Sequence, residues 1–186
     1  MAGRPPVVTT SVLDAPRSVL WRHATSFAGI GAELWPWLDM TTPRGLRARR
    51  LDENSVSVPL GRSVLLLGGV LPVEYDDIVV AELEPGRRFL ERSSMLTSGL
   101  WEHERVLEDV GPAASQVRDT VRFRLRGALR HVPGVEHLAR SMVTAVFAHR
   151  HRRLRRHFGV PGTARPAAPP PATSRRRRRS APRAGR

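Results

Sequence analysis

Residues 100–107, LWEHERVL, gather the most chemistry into the fewest positions. Side chains alternate along an extended strand, so Trp101, His103, Arg105 and Leu107 share one face and Leu100, Glu102, Glu104 and Val106 share the other. Trp101 with His103 is the more ligand-like pair, an aromatic wall beside a group that titrates near neutral pH. Inside a cavity His103 would act as a general acid or base, or hydrogen-bond a ligand oxygen. The plainer alternative is a hydrogen-bonded structural histidine. Glu102 and Glu104 have the makeup of a carboxylate pair, but same-face acids on a strand ordinarily meet solvent, and no catalytic dyad is expected of them.

The other chemistry-bearing residues argue mostly by exclusion. His149 and His151 lie two apart on a helix and so point about 200° apart, wrong for one metal. His103-Glu104 lacks the second histidine of a zinc-protease helix, and the chain has no cysteine. Glu74, Asp76 and Asp77 surround the single tyrosine, Tyr75, without calcium-loop spacing, and read as a loop. No nucleophile elbow, phosphate-binding glycine loop or dinucleotide fingerprint is present; Gly68-Gly69 falls in an apolar run and suggests a bulge. Hydrolase, kinase and dehydrogenase chemistry are therefore not expected, and neither is a metal or cofactor.

The elements that must position these residues follow from periodicity. Val7–Leu13 is β-rich, and Asp14 is placed to cap a following helix with Pro16 in its early turn and Val19, Leu20 and His23 at helical spacing. Phe27–Met40 is interrupted by Gly29, Gly31 and Pro36 and suits two short helices. After the turn signal Pro43-Arg44-Gly45, strands are expected at 46–52, 55–60, 63–71, 77–84, 87–96, 100–108 and 117–126, separated by Asp52-Glu53-Asn54, Gly61-Arg62, Glu84-Pro85-Gly86 and Asp109–Pro112. The last alternates most cleanly: Val117, Asp119, Val121, Phe123 and Leu125 on one face, Arg118, Thr120, Arg122, Arg124 and Arg126 on the other. A final helix, Val135–Phe158, carries Leu138, Ala139, Met142, Val143, Val146, Phe147, Leu154 and Phe158 as a stripe, with Gly159 at its C-cap.

With 186 residues, 40% of them hydrophobic, the chain suits one domain with a real core. It has neither a signal-peptide run nor a membrane-length apolar run, so a cytoplasmic location is the expectation. The formal charge of +14 comes from arginine alone, there being no lysine. Eight arginines and no acid lie in 160–186, whereas 23 arginines against 17 acids leave 1–159 at +6. Five of those 23, Arg150, Arg152, Arg153, Arg155 and Arg156, end the last helix, where they complement its dipole. The body is thus nearly neutral, which argues against a nucleic-acid-binding face spread over the fold. The expected layout is a leader at 1–6, a folded domain at 7–159 and a disordered Pro/Ala/Arg-rich tail at 160–186. Within that tail Arg175, Arg176, Arg177, Arg178 and Arg179 could meet nucleic acid or an anionic membrane in a salt-sensitive way, or simply be solvated. Oligomeric state is left open.

Strand, short helices, six or seven antiparallel strands and a long C-terminal helix: this order resembles the α+β helix-grip fold of the START-like (SRPBCC) superfamily, which includes birch pollen allergen-type and polyketide cyclase/dehydrase-like proteins. The segments carrying the resemblance are LWPWLDM at 34–40, EPGRRFLERSSML at 84–96, LWEHERVLED at 100–109, VRDTVRFRLR at 117–126 and FAHRHRRLRRHFG at 147–159. The resemblance implies an apolar cavity between a curved sheet and the last helix. Its expected occupant is a hydrophobic small molecule or lipid, with Met95, Trp101, His103, Arg105, Phe123, Met142 and Val146 as lining and Trp35 and Trp37 at the mouth, where they either gate a ligand or plug the core. Two alternatives stand beside binding. One is a cyclase/dehydratase-like enzyme using His103 with an arginine as polar partner; the other is a ligand-sensing module tethered through the arginine tail.

Overall fold

Alternation decides the architecture. A strand buried on one face and wet on the other must lie in a sheet with something packed on its dry side. The structure, a computed structural model, describes residues 4–42, 56, 57 and 59–162. Its elements are β1 (Val7–Leu13), α1 (Arg17–Ala24), α2 (Phe27–Leu34), β2 (Leu38–Met40), β3 (Pro59–Leu67), β4 (Leu71–Glu84), β5 (Arg88–Met95), β6 (Ser98–Asp109), β7 (Ser115–Leu125), a 3-10 turn at Gly127–His131 and α3 (Val135–Phe158). The strands form one antiparallel sheet in the order β1-β7-β6-β5-β4-β3-β2. On β7, Val117, Asp119, Val121 and Leu125 are buried and Arg118, Arg122 and Arg124 exposed, as their alternation predicts, but Thr120, expected on the wet face, is buried as well. The sheet curves around α3, the helix-grip arrangement.

Apolar burial is concentrated towards the C-terminal half of α3. Leu13, Ala15, Leu20, Leu107, Val117 and Leu154 form one cluster, with Trp21 and Phe158 packed against it. Val7, Val121 and Phe147 form a second, flanked by Trp101, Phe123, Val143 and Val146. The Asp14 N–H donates to the Gly159 carbonyl at 3.3 Å, so the end of α3 is fastened to the start of the β1–α1 connection.

Several local expectations are corrected. The N-cap of α1 is Pro16, and Asp14 makes no side-chain cap. Phe27–Met40 holds one helix and a strand: α2 is capped by Ser26, whose Oγ accepts from the Gly29 N–H at 3.1 Å, and after Pro36 the chain turns into β2. Gly68 and Gly69, with φ of 60° and 76°, make the turn joining β3 to β4 and are no bulge within a strand. A register shift instead sits at Pro59/Gly61, where a turn was expected at Gly61-Arg62. β4 begins at Leu71, so Glu74 to Asp77 lie on a strand and not in a loop. Val56 makes an isolated bridge to Val80. The strand at 46–52, its flanking turns and the arginine run at 175–179 lie outside the described residues. Among those described, no helix is long and apolar enough to cross a membrane.

Candidate functional site

The concave face of the sheet, α2 and α3 surround a cavity of about 440 Å³, within the size range of small-molecule sites. Met95, Trp101, His103, Phe123, Met142 and Val146 lie on its wall. Trp101 and Phe123 are opposed in the β6–β7 register, with ring centroids 6.2 Å apart, and provide an aromatic panel. Val73, Leu129, Leu138 and Met142 line the cavity while remaining exposed, Leu138 and Met142 at 59% and 60%, and mark its open side.

Trp35 and Trp37 are placed elsewhere. Both are half exposed and neither belongs to the wall. His149 Nε2 donates to the Trp35 carbonyl at 3.1 Å, and the Trp37 ring stacks on His149 at 4.6 Å. The Gly68 N–H donates to the Trp37 carbonyl at 2.9 Å. The segment is therefore a strap between the β3–β4 turn and α3, and it follows from the proline that stops α2 from continuing.

Arg105 also lies outside the cavity wall. It is 1% exposed, and its guanidinium is spent on two buried carboxylates. Nε and Nη2 donate to Asp119 at 2.7 Å each, and Nη1 and Nη2 donate to Glu33 at 2.8 and 2.9 Å. Arg150 of α3 reaches the same Glu33 at Oε2, with Nε and Nη2 at 2.9 and 2.8 Å. His151 Nε2 donates to Asp119 Oδ2 at 2.9 Å, and its Nδ1 lies 2.9 Å from Ser11 Oγ, which accepts from Arg155 at 2.8 Å. Burial alone would raise Glu33, but the Arg105 and Arg150 guanidiniums outweigh it and hold the carboxyl down to about 2. Asp119 is held well below its ordinary range against the same burial, chiefly by Arg105. Arginines and histidines at the end of α3 thus serve buried acids as well as the helix dipole.

On the cavity side of this cluster, polar groups from three adjacent strands form a row: Asp76 on β4, Glu91 on β5 and His103 on β6. Glu91 and His103 are opposed in register, with Glu91 Oε2 3.7 Å from His103 Nδ1, while His103 Nε2 donates to Asp119 at 3.0 Å. Burial would lower His103, but Asp119 and then Glu91 overcome it and raise the imidazole above its ordinary value. Both ring nitrogens therefore face carboxylates, and the ring is fixed edge-on between Phe89 and Phe147 at 5.5 and 5.0 Å. Glu91 is lowered despite burial by its hydrogen bond and attraction to His103. Asp76 has no such cation. Burial, then the Glu91 charge, push its carboxyl up to about 9. Glu102 and Glu104 face away from this row and pair with Arg92 and Arg88 at 3.0 and 2.6 Å.

Residues 11–158 match the family model described as Domain of unknown function (DUF8410). The chain belongs to the DUF8410 family. None of the curated proteins matches it in sequence. Among solved structures, protein CV1439 from Chromobacterium violaceum is similar to this DUF8410 chain with a TM-score of 0.62 and 13% identity, covering 84% of this chain and 99% of that one. A START superfamily protein from Mycobacterium smegmatis gives 0.56 at 11% identity, covering 83% and 99%. DynU16, a protein in the dynemicin biosynthetic locus, gives 0.51 at 17% identity, with 84% of this chain on 49% of that one. At these identities the likeness is one of fold: this member of DUF8410 has the START-like helix-grip architecture.

The sequence reading of this DUF8410 member left out Glu91 and Glu33 and took Asp76 for part of a loop. Asp76 carried a signal, since Asp76, Ile78 and Val80 alternate and are all buried. Glu91 was equally readable, one strand over from His103 and flanked by Phe89 on the same face. Glu33 offered only its place between apolar residues on α2.

Proposed function

We propose that this protein binds a hydrophobic small molecule or lipid in the cavity between its sheet and α3. The observation that carries the reading is the cavity itself: about 440 Å³ walled largely by apolar side chains, with a small set of polar groups gathered on one side. The START-like fold supports it, because that fold commonly encloses hydrophobic ligands. Native mass spectrometry of the purified full chain, with organic extraction of whatever accompanies it, tests the reading. A stoichiometric apolar molecule is the expected result. A chain that is empty and fails to take up any of a panel of lipids and polyaromatic ketones overturns it.

A second reading, cyclase- or dehydratase-like chemistry in the same cavity, is favoured by the acid–base row of Asp76, Glu91 and His103 on its wall. Its polar partner would be this row and not Arg105, whose donors are already engaged. Conversion of a poly-β-ketone thioester by the full chain, lost in His103→Phe while ketone binding persists, is its expected signature; the absence of any turnover removes it.

A further inference from the structure

Three of the basic residues near the end of α3 are spent on buried partners: Arg150 on Glu33, His151 on Asp119 and Ser11, and Arg155 on Ser11. A neighbouring face of the helix is different. Arg153 stands three residues before Arg156 and four before His157, so the three are neighbours on one face, and like charges so placed repel. With His23 of α1, Ala32, Glu33 and Leu154 they line a second cavity of about 200 Å³, which shares no wall residue with the larger one. Among the described residues the Arg156 guanidinium makes no hydrogen bond or ion pair, and Arg153 commits only its Nε, to the Ala32 carbonyl at 3.1 Å.

The carboxylate on this wall is already taken. Both Glu33 oxygens hold Arg105, and Oε2 also holds Arg150, which leaves His23 Nε2 at 3.5 Å from Oε1. The His23 and His157 rings stack with centroids 5.7 Å apart. Burial lowers the His23 imidazole, and against the pull of Glu33 the charges of Arg105, His157 and Arg150 lower it further. Two guanidiniums and two imidazoles thus surround one small space, with no carboxylate to spare for them among its wall residues. The carbonyl end of α3 opposes their charge, but a helix terminus carries only about half a charge against the two of Arg153 and Arg156.

We propose that this second cavity is a phosphate site, in which Arg153, Arg156 and the stacked pair His23 and His157 hold the oxygens of a phosphate group, either free or at the head of a larger molecule. A dianion with several acceptor oxygens answers all four groups at once, whereas a carboxylate brings one charge and two oxygens. The guanidinium fork matches phosphate oxygens in pairs. Arg150 lines the larger cavity and Glu33 the smaller, so the ion pair between them separates the two, and the phosphate site stands whatever the larger cavity binds.

The readout must be local, because the arginines of the tail also attract anions. The full chain is titrated with inorganic phosphate and with glycerol 3-phosphate, and the imidazole nitrogen resonances of its seven histidines are followed. Those of His23 and His157, identified by single substitution to glutamine, are expected to shift and saturate, while the exposed His137 stays in place. Arg156→Gln, which removes an exposed side chain without other partners, is expected to weaken the saturable shift by roughly tenfold; Arg130→Gln, on the 3-10 turn, leaves it unchanged. Tighter binding of the ester supports the head of a larger molecule, and equal or tighter binding of inorganic phosphate supports the free ion. Unmoved His23 and His157 signals, a drift shared with His137 that does not saturate, or full affinity in Arg156→Gln overturns the site.

Discussion

At the scale of single residues the molecule turns on which buried charges have partners. Arg105 binds both Glu33 and Asp119, and removing it takes four hydrogen bonds from carboxylates that lie at 1% and 0% exposure, leaving Glu33 to Arg150 and Asp119 to His103 and His151. Arg105→Met is expected to cost about 3–5 kcal/mol, the range for breaking a buried ion pair from one side, measured as a lowered urea midpoint with unchanged slope. Asp76 has the opposite sign. Its carboxyl keeps its proton up to about 9 in the folded chain against an ordinary value of 3.8. Between those values the native state holds the proton that the unfolded chain has released, so stability falls as pH rises. Glu91, Asp77 and His103 share the surroundings of Asp76, but Asp76→Asn removes this slope specifically. The variant is expected to match wild type near pH 4 and to melt at a progressively higher temperature than wild type towards pH 9. Parallel curves at all pH values would mean that Asp76 is ionised in the fold.

At the scale of elements, close approach matters more than propensity. A Cβ built on Gly29 would lie 2.0 Å from the His23 carbonyl oxygen, a backbone atom that cannot turn aside. Gly29→Ala, ordinarily a helix-favouring change, is therefore expected to destabilise the fold by about 1–3 kcal/mol, read as a drop in thermal midpoint. A rise would show that α1 and α2 can separate freely. The same contrast explains what the sequence revealed. β7 was legible because burial on one face and solvent on most of the other impose a period of two on its sequence, broken in burial only at Thr120, and α3 because its stripe keeps helical spacing. The first half of β4 was not, since Pro72 and the acids at 74, 76 and 77 have weak strand preference and are sustained only by pairing with β3 and β5. β2 is three residues long, too short to show a period. That Trp101 and His103 share a face of their strand could be read from parity, while the cavity they and Phe123 line was an expectation from the family resemblance. Arg105 shares that parity but lies beyond the end of the cavity, where α2 and α3 close over the sheet, and parity says nothing about position along a strand. The role of Arg150 depends on Glu33, 117 residues away.

At the scale of the whole molecule, the Glu33 carboxylate joins three elements that are distant in sequence. It sits on α2, binds Arg105 of β6, and binds Arg150 of α3. Those bonds clamp the C-terminal half of α3, where Phe147, His149, Arg150, His151 and Leu154 are buried, whereas the turns around Leu138 and Met142 stay exposed. Opening the clamped end means parting buried ions; lifting the other end parts apolar contacts and more exposed polar ties, Arg140 to the Pro5 and Pro6 carbonyls and Glu136 to Arg4. Guest exchange should therefore be one-ended, with the first three turns of α3 swinging as a flap and the last turns serving as its fixed root. In hydrogen–deuterium exchange the amides of 139–145 are expected to exchange well before those of 149–157, and an occupied cavity should slow the first group alone. Uniform protection along α3 would instead mean that a guest enters only when the entire helix lets go.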